Sequence, residues 1–131
     1  LLLSKFPRAI PARLPPNVRH FSFAPFRQLL PRCAALVHHG GIGTTAAALQ
    51  SACPQLILPL AWDQPDNAAR VGKMGSGLAL GPRRRTGAHI SAALAQLLGP
   101  EFRVRCNAIA AQTNGENGLE RAADWVEQLA G

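Results

Sequence analysis

No acidic residue occurs before Asp63, although the first 62 positions carry Lys5, Arg8, Arg13, Arg19, Arg27 and Arg32. The acids that follow leave the 131-residue chain at a formal charge of +7. A field of that sign favours anionic partners such as nucleotides, nucleic acids or acidic surfaces, and it also keeps a surface soluble. Cysteine is scarce: Cys33, Cys53 and Cys106 are odd in number and form no CxxC pair, which argues against a disulfide framework and a zinc site and fits a reducing, cytosolic compartment. Long apolar runs are missing as well. Leu56 to Trp62 is interrupted by Pro59 and falls short of the ~20 residues that span a bilayer, and Leu1-Leu2-Leu3 is too short for a signal-peptide core. The chain opens on Leu rather than Met, so it reads as part of a longer polypeptide. With 47% hydrophobic and 16% charged residues it lacks the signature of disorder, and its length fits one domain.

Strand and helix signals alternate along the chain. Pro7, Pro11, Pro15 and Pro16 make Ser4 to Pro16 a loop. Val18 to Phe23 alternates as a strand that Pro25 stops, and Phe26 to Cys33 forms a short helix broken by Pro31. Ala34-Ala35-Leu36-Val37 predicts a strand buried on both faces, ended by Gly40-Gly41-Ile42-Gly43. Thr44 or Thr45 is positioned to cap a helix over Ala46 to Ala52. Gln55 to Pro59 is another buried strand, Asn67 to Met74 a helix stopped by Gly75, and Gly77 to Leu80 a last strand. Ala88 to Leu98, Phe102 to Gln112 and Leu119 to Leu129 have helical spacing, with Gly99-Pro100 and Asn114-Gly115 as breaks. Such alternation implies an α/β fold: a Rossmann-like parallel sheet with flanking helices, in one domain. Ligands of these sheets sit beyond the carboxyl ends of the strands, which directs attention to His38 to Thr45 and to Ala61 to Asn67.

His38-His39-Gly40-Gly41-Ile42-Gly43-Thr44-Thr45 leads from a strand into a helix N-terminus. Glycines allow close backbone approach, and unpaired N–H groups at the positive helix end attract phosphate, so this loop suits a phosphate or pyrophosphate. Asp63-Gln64 follows the next strand on the same sheet edge and supplies acceptors and donors suited to sugar hydroxyls, while Asp63 is equally a natural helix cap. Gly41-Ile42-Gly43-Thr44-Thr45-Ala46 also satisfies G-x-G-x-x-A, with Asp63 about 20 residues on, as in a nicotinamide-binding domain. That fingerprint normally opens its βαβ unit, whereas a strand precedes it here, and it has no place for the His-His pair or Asp-Gln.

The ordered set Phe23-Ala24-Pro25, His38-His39-Gly40-Gly41-Ile42-Gly43-Thr44-Thr45, Pro54, Pro59 and Asp63-Gln64-Pro65-Asp66-Asn67 resembles the donor-binding signature of nucleotide-sugar-dependent glycosyltransferases. The likeness is to the two-Rossmann-domain (GT-B) family of plant UDP-glycosyltransferases, bacterial sterol and macrolide glycosyltransferases and glycolipid rhamnosyltransferases. It covers nearly the whole chain, residues 1–131 reading as part of the C-terminal nucleotide-sugar-binding domain. The resemblance implies that His39 and the backbone of Gly40, Gly41, Gly43 and Thr44 hold the donor diphosphate, that Asp63 and Gln64 bind the donor sugar, and that Phe23, or its neighbour Phe26, with Ala24 meets the base. It implies a UDP- or dTDP-sugar donor, inverting transfer without metal or other cofactor, and a small hydrophobic or lipid hydroxyl acceptor held by an N-terminal domain. A cytoplasmic enzyme follows, working in solution or at the inner membrane face.

Three departures stand out. Many plant members carry a ribose-binding Glu where this chain has Ala47; the acceptor domain with its catalytic base is not in this chain; and Leu1 to Ser4 looks like the second strand of the donor domain, leaving out a central first one. Residues 1–131 alone are therefore expected to be inactive. A nicotinamide-dependent oxidoreductase domain and a basic nucleic-acid-binding module are the alternatives, the second without any RNP-like or helix-turn-helix pattern in support. Arg83-Arg84-Arg85 reads as a solvated loop, His20 and His89 as structural, Trp62 as a candidate lining of the sugar pocket, and Trp125 as the anchor of the last helix in the core.

Overall fold

Neighbouring strands run parallel throughout the computed structural model, which describes residues 1–113 and 118–130. β1 (Leu2–Leu3) pairs with β2 (His20–Phe21), and a second sheet has the order β3 (Leu36–His38), β4 (Gln55–Ile57), β5 (Gly77–Ala79). The helices are α1 (Phe26–Leu29), α2 (Ile42–Gln50), α3 (Gln64–Met74), α4 (Gly87–Leu97), α5 (Pro100–Thr113) and α6 (Gly118–Ala130). This is the α/β architecture that the alternation implied. The expected break at Asn114-Gly115 lies outside the described residues.

β4 is the spine of the larger sheet. Its side chains alternate: Leu56 joins Leu80, Ala93 and Leu97 beneath α4, while Ile57 joins Ala68 and Val71 beneath α3. Burying each such aliphatic side chain contributes about 1.5–3 kcal/mol. A third cluster, Leu30, Ala48 and Cys53 with Phe26 and Leu36 against it, fastens α1 and α2 to β3. The Arg103 guanidinium of α5 donates to the carbonyls of Ala52 (3.2 Å), Cys33 (3.3 Å) and Ala34 (3.4 Å), tying that helix across the loops at the base of β3 and β4. The cysteines are free, and burial raises the thiols of Cys53, to about 11, and Cys106.

The two sheets do not pair with each other. Between them lies a cavity of about 580 Å3, with Leu1, Leu2 and Leu3 on one wall and Ala35, Leu36 and Val37 on the other. The strand expected over Ala34 to Val37, buried on both faces, is instead Leu36–His38, and Val37 is 43% exposed because β3 has a sheet neighbour on one side only and the cleft on the other.

Other differences are local. The helix expected from Ala46 starts at Ile42, so Thr44 and Thr45 fall inside its first turn and cap nothing; the Thr45 hydroxyl donates to the Gly41 carbonyl at 3.0 Å. Helix α3 starts three residues earlier than its apolar pattern indicated, because Pro65 is tolerated in a first turn that needs no N–H. Gly75 ends it as expected, at φ +69, with Ser76 N–H bonded to the Val71 carbonyl. Trp125 is 60% exposed rather than a core anchor, with the Arg121 guanidinium 5.6 Å from its ring centroid. In the arginine run, Arg83 and Arg84 are exposed, whereas Arg85 turns inward and donates to the carbonyls of Pro59 and Leu80.

Candidate functional site

The chain leaves β3 at His38 and turns sharply. Gly40 sits at φ +95, and a Cβ there would lie 2.7 Å from Ile57 Cγ2 and 3.3 Å from the Gln64 carbonyl oxygen, so only glycine lets the loop press onto β4 and α3. Gly41 occupies the cap position of α2 with no side chain to offer. A Cβ on Gly41 would stand 2.8 Å from His39 Nε2, so the exposed His39 imidazole lies over the very start of the helix. The first helical bond runs from Thr45 N–H to the Gly41 carbonyl at 3.0 Å. The N–H groups of Ile42, Gly43 and Thr44 therefore precede the helical ladder, and no side chain caps them. Three backbone donors, the positive end of a nine-residue helix and one imidazole converge here.

A second arm reaches the loop from β4. Asn67, 8% exposed, donates through Nδ2 to the Gly40 carbonyl at 2.9 Å and to Asp63 Oδ2 at 2.7 Å. Asp63 is thus fixed beside the glycine loop, as its place after a neighbouring strand implied. It stands at the cap position of α3, yet its carboxylate makes no capping bond, and the residue is exposed. Gln64 is buried; its Oε1 accepts from the N–H groups of Leu60 (2.7 Å) and Ala61 (3.2 Å) and folds the turn before the helix. Trp62, in that turn, holds φ +55 and is 89% exposed.

On the other side of His39, a cavity of about 630 Å3 is lined by Lys5, Phe6, Phe23, Ala24, Phe26 and His39, among others. It brings the candidate base residues Phe23 and Ala24 to the imidazole, and Phe23, 79% exposed, is not packed in the core. Gly43 faces a separate cavity of about 520 Å3, shared with Arg27, Ala46, Ala47 and Gln50. Thr44 lines the cleft between the sheets beside His38 and His39.

Sequence reasoning placed His38 and Asn67 in the two loops but missed Asn67 as the link between them and the bonds of His38, and it missed Gln55 altogether. His38 Nδ1 accepts from Gly40 N–H at 3.1 Å, and its Nε2 lies 2.9 Å from Gln55 Oε1. Burial holds the His38 imidazole below its ordinary value; the bond to Gln55 opposes that shift and the neighbouring His39 adds to it. A polar residue heading a buried strand, Gln55, was the available signal.

Residues 4–120 match the family described as "Erythromycin biosynthesis protein CIII-like, C-terminal domain". The chain belongs to this family. Aklavinone 7-beta-L-rhodosaminyltransferase of Streptomyces galilaeus is 37% identical over 123 residues, 93% of this chain and 28% of that protein. Glycosyltransferase GtfE of Amycolatopsis orientalis is 44% identical over 103 residues, 79% and 25% of the two chains. Among solved structures, spinosyn forosaminyltransferase SpnP superposes with a TM-score of 0.81 at 31% identity, over 92% of this chain and 33% of its own. Glycosyltransferase VinC in complex with dTDP gives 0.80 at 33% identity, over 91% and 30%. The chain is a glycosyltransferase C-terminal domain, and it spans about a quarter of the length of these curated relatives. Family membership favours that reading of Gly41-Ile42-Gly43-Thr44-Thr45-Ala46 over the nicotinamide and nucleic-acid alternatives. Among the described residues no helix of this glycosyltransferase domain is long and apolar enough to cross a membrane.

Proposed function

We propose that this domain holds the nucleotide-sugar donor of a glycosyltransferase that acts on a small hydrophobic hydroxyl acceptor. The observation that carries the proposal is the uncapped start of α2, with His39 folded over Gly41 beside it. A diphosphate seated there accepts from the N–H groups of Ile42, Gly43 and Thr44 and from the His39 imidazole. As the sugar–oxygen bond breaks, negative charge gathers on the departing diphosphate, and donors fixed in advance stabilise it without a metal ion. Phe23 and Ala24 meet the base in the cavity that ends at His39, and Asp63 reaches sugar hydroxyls from the other side. Transfer with inversion follows when an acceptor hydroxyl, deprotonated by a base in the rest of the enzyme, attacks the sugar carbon from the face opposite the diphosphate.

Two observations support dTDP over UDP as the carrier. VinC, 33% identical over 91% of this chain, was solved with dTDP. Ala47, one turn into α2 and lining the cavity with Gly43 and Arg27, presents a methyl group where plant relatives bring a carboxylate to the ribose, and deoxyribose has one hydroxyl fewer to hold. The names of the relatives, among them transferases acting on aklavinone and tylactone, support a polycyclic or macrolide-like acceptor.

In the complete enzyme, His39→Ala is expected to weaken dTDP and UDP binding by about 10- to 150-fold, the loss of one hydrogen bond to a charged acceptor, about 1.5–3 kcal/mol. Calorimetric titration checks this, and unchanged affinity removes His39 from the diphosphate site. Asp63→Asn should lower turnover of the sugar donor while leaving free dTDP binding within about twofold, since the sugar is absent from dTDP. Gln64 needs a gentler substitution. Gln64→Ala strands the N–H groups of Leu60 and Ala61, whereas Gln64→Glu keeps the oxygen that holds them and exchanges the amide donor for a carboxylate oxygen, charged when ionised, in a buried position. If Gln64 serves the sugar, the Glu variant loses turnover by more than it loses free dTDP binding. Equal loss of free dTDP binding in the Asp63 and Gln64 variants places Asp63 on the ribose instead.

A further inference from the structure

His38 belongs to none of the roles above, yet it is the most connected side chain of the loop. Its Nδ1 accepts from Gly40 N–H at 3.1 Å, and that bond requires an unprotonated Nδ1. The proton of the neutral ring is then on Nε2, where it donates to Gln55 Oε1 at 2.9 Å. Gln55, fully buried at the head of β4, passes the constraint on: its Nε2 lies 3.5 Å from the Thr45 carbonyl in the first turn of α2. One imidazole therefore joins the end of β3, the start of β4, the glycine at φ +95 and the helix that follows it. Among the groups around it, His39 is the neighbour whose charge disfavours protonation of His38. The cleft side presents the leucines of β1, Phe26 and Leu29 of α1, the Cys33 thiol and Thr44; β4 presents Gln55, and the T-shaped neighbour at 6.4 Å is His39.

We propose that His38 is the positioning residue of the donor loop, acting as a neutral Nε2–H imidazole that holds Gly40, and that its protonation in acid releases the loop and the donor with it. This rests on the donor-binding reading above. The direction follows from the bonding. A proton on Nδ1 would point at Gly40 N–H, donor against donor, so the loop bond exists only in the neutral form. Burial, which lowers the affinity of His38 for a proton, acts the same way. The folded loop binds fewer protons than the released one, so its stability is fully present above the ordinary imidazole value of 6.5 and falls as pH drops below it.

The test uses the full-length enzyme and dTDP-glucose, a sugar diphosphate diester with no phosphate proton to lose between about pH 5 and 8.5, titrated by calorimetry across that range. Wild-type affinity is expected to hold above pH 7 and then to fall toward about tenfold per pH unit, the slope of one proton taken up as the donor is released. His38→Asn places an amide oxygen near the position of Nδ1, keeping an acceptor for Gly40 N–H that does not titrate. Its affinity at pH 8 should lie within a few-fold of wild type, and its acid limb should be shallower by one proton. His38→Gln carries its amide at the Nε2 end, leaves Gly40 N–H unbonded, and should bind weakly at every pH. An acid limb in His38→Asn identical to wild type, or equal weakness of the two variants at pH 8, overturns the proposal. Should the Asn variant fail to fold, the wild-type enzyme decides by NMR: the His38 ring should show the Nε2–H tautomer, and the Gly40 amide should shift with the midpoint of His38. A Gly40 amide indifferent to that titration also overturns it. Wild-type enzyme that binds neither dTDP-glucose nor UDP-glucose at any pH refutes the donor reading itself, an outcome distinct from these.

Discussion

Gly40→Ala is expected to abolish measurable donor binding and to lower the melting temperature of the domain. Two costs coincide at that position. At φ +95 a residue with a Cβ carries backbone strain of about 1–3 kcal/mol, and the new methyl collides with Ile57 Cγ2 at 2.7 Å inside the β4–α3 core, adding about 1–3 kcal/mol of overpacking. Relief requires the loop to lift away from β4. The loop can do so only by stretching the bonds from Asn67 Nδ2 to the Gly40 carbonyl and from Gly40 N–H to His38, and by displacing His39 and the start of α2. A shift of about 1 Å in a positioning element costs on the order of 100-fold. Gly43→Ala provides the contrast. A Cβ there meets nothing within 4 Å and replaces a helical glycine by the best helix former, so the melting temperature should hold or rise. Weaker dTDP binding in Gly43→Ala with full stability then reports crowding of the diphosphate itself. Calorimetry and thermal unfolding of the two variants in the complete enzyme check the pair, and a Gly40→Ala protein that binds dTDP like wild type removes the loop from the donor site.

What could be read from the sequence follows from the range of the forces involved. The α/β alternation, the glycine stop at Gly75 and the placement of Asp63 beside the glycine loop are local or depend on strand order, and the apolar pattern and turn residues carry them. The start of α2 was misplaced because Thr44 and Thr45 look like caps, whereas the turn is made by Gly40, whose backbone at φ +95 goes where a threonine's rarely does, and the cap position falls on Gly41. Trp125 was misplaced because an amphipathic helix in the sequence does not say whether a partner covers its apolar face; in α6, Trp125, Val126 and Leu129 all remain exposed. The links that hold the site together escaped altogether. His38 to Gln55 spans 17 residues and Asn67 to Gly40 spans 27, and nothing in either local pattern names the partner. Long-range polar contacts of this kind need coordinates, and they are the ones that couple the two arms of the site.

The complementary expectation is that residues 1–131, purified alone, transfer no sugar. Inverting transfer to a hydroxyl needs a general base within about 2.6–3.2 Å of the acceptor oxygen, and its contribution is on the order of 100- to 10,000-fold. The titratable side chains at this edge are engaged elsewhere. His38 is bonded at both ring nitrogens, His39 lies over the helix start where the diphosphate would sit, and Asp63 Oδ2 accepts from Asn67. Positioning the acceptor against the sugar carbon matters still more, about 7–11 kcal/mol for a well-aligned pair, and it requires a surface facing the donor. The relatives are about four times longer than the matched region, which leaves room for that surface in the rest of the protein. Without base and acceptor pocket the rate falls below detection, while the helix start, His39 and the Phe23 cavity remain able to hold nucleotide weakly. Incubating the purified chain with dTDP-glucose or UDP-glucose and a panel of phenolic and macrolide alcohols should give no glycoside above a no-protein control, in a preparation that still binds dTDP by calorimetry. Product formation would place the base among these 131 residues, and Asp63→Asn would then be the first variant to assay for its loss.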